Sequence, residues 1–203
     1  MGDNSTAKLP QCAYCAHQKC DITPEMDVSG LACMLAPLEG KDRDEVVNFY
    51  RYGVPQRVME ASDAVASECH DNGYSHVYAI IEFCKRMGFS HIGIATCTMF
   101  HNEARVLARR LKDAGFRVSS AACKTGEVHR SEVGLDASTF DGCVCNPFRQ
   151  AQLLNAAQTD LNISVGLCIG HDMLFNKLSN ALVTTLFTKD YAHGHKAILD
   201  LQE

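Results

Sequence analysis

Cysteine carries the first chemical signal, with 11 in a chain of 203 residues. Four stand close together near the start, as Cys12-x2-Cys15-x4-Cys20-x12-Cys33. A segment with thiols at that spacing and no core of its own suits a structural metal, since ligation supplies about 10–16 kcal/mol toward folding such a module. The first pair has zinc-knuckle spacing. The whole run equally fits a four-thiolate iron–sulfur cluster, and His17 could stand in for one thiol. Free thiols are the plain alternative.

A second set is spread along the chain. Cys97, Cys123, Cys145 and Cys168 each close a short β-type run: HIGIATC (91–97), FRVSSAAC (116–123), DGCVC (141–145) and NISVGLC (162–168). Parallel strands share one C-terminal edge, where ligands bind. Thiols separated by 26, 22 and 23 residues are therefore expected to meet there. Helix N-termini following Cys145 and Cys168 would add positive potential, which suits a thiolate cluster. A 4Fe-4S cluster is the leading expectation and zinc the alternative. The bland reading is buried core cysteine. Cys143 would share a strand face with Cys145 and serve either as a reserve ligand or as a thiol supporting the ligands. Cys69 and Cys84 complete apolar helix faces and read as inert core.

Gly170-His171-Asp172 follows Cys168 directly. His171 is a candidate proton donor at the rim of the edge site, with Asp172 orienting it; a simple hydrogen-bonding role at a helix start is the alternative. Lys189 and Asp190 also fall at the ligand edge, whereas His193 and His195 read as part of a solvated tail. No Walker loop, Gly-x-Gly-x-x-Gly turn or nucleophile elbow is present, so nothing supports a nucleotide cofactor.

These residues need a scaffold. Val54, Val58, Ala61, Val65 and Cys69 recur at helical spacing up to Asn72-Gly73, and Val77, Ile80, Ile81, Cys84 and Met87 form a second face ending at Gly88. From residue 91 onward strands alternate with helices over 102–115, 146–160 and 170–179, and a fifth strand covers 181–190. Pro147 sits in a first helical turn, where its missing N–H costs nothing. The pattern predicts an α/β domain over residues 51–203, with an open, mostly parallel, Rossmann-like three-layer sheet joined by right-handed crossovers. Residues 1–50, with Pro10, Pro24 and Pro37 and no periodicity, read as a loop-rich Cys-rich module.

Apolar residues make up 46% of the chain, enough for a full core. Lys plus Arg number 19 against 24 Asp plus Glu, a net charge of −5. That balance argues against nucleic acid or an anionic membrane as partner. No apolar run approaches the ~20 residues of a membrane helix. The opening MGDNSTAKLP has no apolar h-region, so it does not read as a secretory signal. An odd number of cysteines without that signal points to a reducing, cytoplasmic setting. The expected partners are a small-molecule substrate or a redox protein, with a homo-oligomer open.

The stretches CAYCAHQKC (12–20), FCKRMGFSHIGIATC, CNPFRQAQLLNAAQTDLN and VGLCIGHDMLF resemble the domain of unknown function 1847 family. The resemblance covers nearly the whole chain and implies metal binding, without naming a reaction. It marks Cys12, Cys15, Cys20, Cys33, Cys97, Cys123, Cys145 and Cys168 as family cysteines, and Gly170, His171 and Asp172 as the family's Gly-His-Asp. The chain departs from the family at Met34, Leu182 and Tyr191 and in the tail after Gly194-His195. The leading functional expectation is an iron–sulfur protein with redox or cluster-dependent chemistry. The alternatives are a non-enzymatic zinc protein and thiol-based sulfur transfer, the last needing one reactive edge cysteine.

Replacing Cys12 and Cys15 together with Ser is expected to release one metal equivalent and expose residues 1–50 to protease, with the sheet still folded. Metal analysis checks it; unchanged metal content would remove the N-terminal assignment.

Overall fold

The computed structural model describes residues 12–14, 38–136, 138 and 142–202. Cys15, Cys20 and Cys33 lie outside the described residues, and Cys12 is exposed in a short 3-10 turn, Cys12–Tyr14. The chain divides into two compact units, Met1–Gln56 and Arg57–Glu203. In the first unit, helix α1 spans Gly40–Arg51 and buries no side chain. Reading residues 1–50 as loop missed it. Its apolar residues Val46, Val47, Phe49 and Tyr50 are bunched in sequence, so they give no helical periodicity, and all four are exposed.

Helix α2 (Gly53–Asn72) buries Ala61 and Val65, and helix α3 (His76–Met87) buries Ile80, Cys84 and Met87. The Ser75 hydroxyl caps α3 by accepting from the Tyr78 amide at 3.3 Å, and Gly88, at φ 70°, ends it. The sheet follows: β1 (His91–Thr96), α4 (His101–Asp113), β2 (Arg117–Ala122), α5 (Pro147–Ala156), β3 (Leu161–Leu167), α6 (Ile169–Leu178) and β4 (Leu182–Thr188). The strands lie in the order β2-β1-β3-β4 and all pair in parallel. β1 and β3 are buried along their whole length, as central strands of a two-sided sheet must be. β2 and β4 form the edges. This is the open, Rossmann-like α/β architecture that the alternation of elements predicts.

One expected strand is absent from the sheet. DGCVC does not join it; Cys143 makes only an isolated antiparallel bridge with His129. The segment's backbone is committed to the preceding loop instead. Val144 N–H donates to the Val128 carbonyl at 2.8 Å, and Arg130 N–H to that of Gly142 at 3.2 Å. Four strands remain. The chain runs from β1 to β2 on one side and then crosses to β3 on the other, so the connections diverge between β1 and β3. In open α/β sheets that divergence is where the ligand crevice forms.

Two glycines allow the close packing around this point. Gly93 on β1 leaves room for the Asn162 amide, whose Oδ1 accepts from Thr159 Oγ1 at 2.8 Å and whose Nδ2 donates to Ser179 Oγ at 2.8 Å. Gly166, at φ 62°, sits in a register shift of β3 beside the Phe100 ring, and a Cβ there would overlap the ring. Phe100 in turn meets Phe187 edge-on at 5.0 Å between centroids.

Gly166→Ala is expected to cost about 2–4 kcal/mol, combining a positive φ with an overlapped ring. Cys84→Ala, at a fully buried site, should cost roughly 1 kcal/mol and leave the thiol chemistry unchanged. Chemical denaturation with thiol counting checks both.

Candidate functional site

The register of β1 and β2 sets up the site. Thr96 pairs with Ala122, so Cys97 and Cys123, the next residue of each strand, come out side by side at the C-terminal edge. Alternation along the strands puts them on the same face as the paired residues Ala95 and Ala121. The third thiol arrives by another route. Asn146 N–H donates to the Cys123 carbonyl at 2.7 Å, which brings the residues ahead of α5 against the end of β2. Asn146 also caps α5, its Oδ1 accepting from the Arg149 amide at 2.9 Å. Gln150, one turn further on and fully buried, donates to the carbonyls of Thr96 at 3.2 Å and Ala121 at 2.8 Å.

The sulfur of Cys123 is the focus of donors. The Thr98 amide donates to it at 3.4 Å, and the Thr98 hydroxyl lies 3.9 Å away. The thiols of Cys145 and Cys97 hydrogen-bond to it as well. Donation from Cys145 is the largest influence; burial opposes it, and the Thr98 and Cys97 donors add to it. Together they pull the Cys123 thiol down to about 5. Cys145, as the donor beside a thiolate, is pushed up and keeps its proton; burial acts in the same direction. The pair therefore carries one negative charge, on Cys123, because only that sulfur has the Thr98 donors.

Basic side chains belong to the same edge. Lys189 follows β4, and its backbone amide donates to Leu167 at 3.0 Å. Burial would lower its ammonium, but a hydrogen bond to Cys97 and the nearby Cys97 and Cys168 sulfurs outweigh that and raise it. Lys124 directly follows Cys123 and donates to the Cys143 carbonyl. His171, in the first turn of α6, is lowered mainly by burial; the Cys123 thiolate opposes this, and Lys189 and Lys124 reinforce it. The imidazole is thus held neutral, as a hydrogen-bond donor or acceptor more than as an acid.

Of the expected edge cysteines, Cys97, Cys123 and Cys145 share one hydrogen-bonded cluster. Cys168 is the N-cap of α6 and lies beside Lys189. Among the described residues, no three His, Cys, Asp or Glu side chains are grouped so as to hold a metal ion. Asp172 does not orient His171. Its carboxylate accepts from the Ser164 hydroxyl, from Thr185 Oγ1 at 3.1 and 3.2 Å, and from Asn176 Nδ2 at 3.3 Å, which fastens α6 to β3 and β4. Cys84 is fully buried, its thiol pushed up to about 12 mainly by burial. Cys69 is only half-buried and lines a cavity of about 480 Å³ between α2, α3 and β4, so it is not sealed core.

The tail is mostly exposed, with Tyr191 at 73%, but His193 and His195 are half-buried. Asp190 N–H donates to His195 Nδ1 at 3.0 Å, and the His195 ring stands edge-on to Phe100 at 4.7 Å. The Tyr191 hydroxyl reaches Met99 Sδ at 3.9 Å, closing the segment back over the end of β1. His193 Nδ1 lies 3.4 Å from an Asp190 carboxylate oxygen. Sequence reasoning missed Thr98, Lys124, Gln150 and Phe100. The only signal for the first two was their position directly after Cys97 and Cys123, and for Gln150 its place one turn after the Asn-Pro helix start.

Comparison with known proteins gives two matches. The family model described as protein of unknown function (DUF1847) matches residues 36–186. An uncharacterized protein of Methanocaldococcus jannaschii is 45% identical over 125 residues, which is 57% of this chain and 61% of that protein. The chain therefore spans less than two thirds of the relative's length. No solved structure matches.

Cys123 is only 2% exposed, so access slows its alkylation by iodoacetamide, but the pH profile of that reaction should have its midpoint near 5, because the thiolate is the reacting form and its donors keep it populated below the ordinary thiol range. Cys145→Ala removes the main donor and should move the midpoint of that profile upward. Cys84 should stay unmodified throughout. Site-resolved mass spectrometry across pH checks all three.

Proposed function

The chain belongs to the family described as protein of unknown function (DUF1847), and on that footing we propose that it is a thiol-based sulfur-transfer protein. Cys123 is the nucleophile, Cys145 the partner thiol and Cys97 a supporting donor. The observation that carries this reading is the convergence on one sulfur of the Thr98 amide, the Thr98 hydroxyl and two thiols. Such a set stabilises a thiolate at neutral pH without any metal charge. In the transfer step the Cys123 sulfur bonds to the outer sulfur of a donor persulfide R–S–SH. The donor's S–S bond breaks, R–S⁻ leaves, and Cys123 carries the persulfide. An external acceptor then takes the outer sulfur and restores the thiolate. If Cys145 attacks first, a Cys123–Cys145 disulfide forms and hydrogen sulfide departs with the proton from Cys145, leaving two thiols oxidised and one sulfur reduced.

His171 stands beside this centre as a neutral hydrogen-bond donor to the departing sulfur, the role left to it once Asp172 is engaged elsewhere. A reducing, cytoplasmic setting suits the free thiols. Among the described residues no helix is long and apolar enough to cross a membrane. Metal binding by Cys12, Cys15, Cys20 and Cys33, as zinc or an iron–sulfur cluster, is a separate proposal that rests on their spacing alone.

Reduced protein treated with glutathione persulfide should gain the mass of one sulfur atom on the peptide holding Cys123. Cys123→Ser should abolish that gain, and Cys145→Ala should prolong it by removing the resolving thiol. Absence of the added sulfur on the unmodified chain would overturn the assignment.

A further inference from the structure

His195 holds a backbone conformation that needs a cause. Its φ is 69°, in the left-handed region that a residue with a side chain adopts only where its surroundings hold it. Two hydrogen bonds close the turn from Asp190 to His195. The His195 N–H donates to the Asp190 carbonyl at 2.8 Å, and the Asp190 N–H donates to His195 Nδ1 at 3.0 Å. The Asp190 carboxylate braces the turn from within, accepting from the Ala192 amide at 3.1 Å and the His193 amide at 3.2 Å. Its start is anchored, because the Lys189 N–H donates to the Leu167 carbonyl at 3.0 Å. What the turn achieves is the placement of one ring. His195 stands edge-on to Phe100 at 4.7 Å between centroids, Phe187 meets the same ring edge-on at 5.0 Å, and Gly166 lies beside it. Three residues thus clamp Phe100, and the Tyr191 hydroxyl adds a contact to Met99 Sδ at 3.9 Å.

Phe100 is the last residue of the 3-10 turn that begins at Thr98. The Phe100 N–H donates to the Cys97 carbonyl at 3.0 Å, which closes that turn, and the Cys97 N–H donates to the Val165 carbonyl at 3.1 Å, which fixes its start. Between these two points the Thr98 amide is aimed at the Cys123 sulfur, 3.4 Å away. Hydrogen bonding weakens steeply with misalignment. Cys123 is only 2% exposed, so water does not replace a donor that swings away. We propose that His195 is a positioning residue for the Cys123 nucleophile: its ring, packed on Phe100, holds the 3-10 turn where Thr98 donates to the sulfur. The inference rests on the sulfur-transfer reading and adds the part of the chain that keeps the nucleophile ionised. Cys145, Cys97 and His171 are the titratable groups that interact with this sulfur, and none belongs to the tail. A change at His195 therefore reaches Cys123 through Phe100 and Thr98.

The experiment reads iodoacetamide rates at the Cys123 peptide of the full chain across pH, which gives a plateau rate and a midpoint. Access to the buried thiol scales the plateau, whereas the donors set the midpoint. His195→Asn removes the ring but keeps a side-chain oxygen able to accept from the Asp190 N–H, and Asn tolerates the left-handed backbone. It should raise the midpoint by about half a pH unit, the weakening of one hydrogen bond to a charged sulfur. Thr98→Pro removes the amide donor itself. Cys97 already has the extended backbone that a residue before proline needs, φ −75° and ψ 144°, and position 98 opens the turn, where proline is accommodated. That variant should raise the midpoint by about one pH unit. In the double variant His195→Asn should add little, since the donor it positions is already gone. Cys84 should stay unmodified in all three, reporting an intact core. A midpoint unmoved by His195→Asn, a change in plateau rate alone, or a shift that adds in full to that of Thr98→Pro overturns the positioning role. A midpoint of the unmodified chain in the ordinary thiol range instead overturns the sulfur-transfer reading. The displacement caused by His195→Asn is read relative to that value, so the two failures are told apart.

Discussion

The Gln150 amide is the tie on which the arrangement at the sheet edge depends. It is fully buried, and its Nε2 bridges the carbonyls of Thr96 and Ala121, on the two strands that deliver Cys97 and Cys123. Parallel pairing brings those strands out together; the amide holds their last turns of backbone at one height and anchors α5 against them. Its Oε1 has no hydrogen-bond partner among the described residues, so the donor side alone is spent on the strands. A buried amide is tolerated at this position because it answers two carbonyls that the ladder leaves over at its end.

From that tie the electrostatics follow. Two thiols in contact cannot both ionise cheaply, so the charge goes to the sulfur with the better donors. Thr98 decides for Cys123, since its amide lies at the start of the 3-10 turn Thr98–Phe100 and has no intrahelical partner. Burial then works differently on each cysteine. At Cys84 it meets no donor and pushes the thiol up to about 12. At Cys123 the donors overcome it. The same residue type is inert in one place and activated in the other, and the difference lies mainly in which hydrogens face the sulfur, with the Asp160 charge adding to the rise at Cys84.

Much of this was legible in the sequence, and the rest was hidden for identifiable reasons. Helical periodicity and cap signals gave α2, α3 and α4 to within a residue or two, as at Asn72-Gly73 and Gly88. β1, β2 and β3 were visible as short β-type runs ending in cysteine. The segment 141–145 was misjudged because an alternating run says nothing about which backbone it will pair with; here a nearby loop took its hydrogen bonds. Asp172 was misassigned for a similar reason. Its neighbour in sequence is His171, but on a helix adjacent residues point in different directions, and the carboxylate meets Ser164 and Thr185 across the sheet.

By itself the sequence determined the kind of sheet and put Cys97, Cys123 and Cys168 at its C-terminal edge, because parallel topology brings the residues that follow the strands out along one side. Only the tertiary structure decided which sulfur carries the charge, that Cys145 reaches it from a loop, that Lys189 hydrogen-bonds to Cys97, and that His195 of the tail packs on Phe100. Those outcomes depend on donor directions and on contacts between residues distant in sequence. Hydrogen bonding is short-ranged and directional, so spacing along the chain cannot encode it.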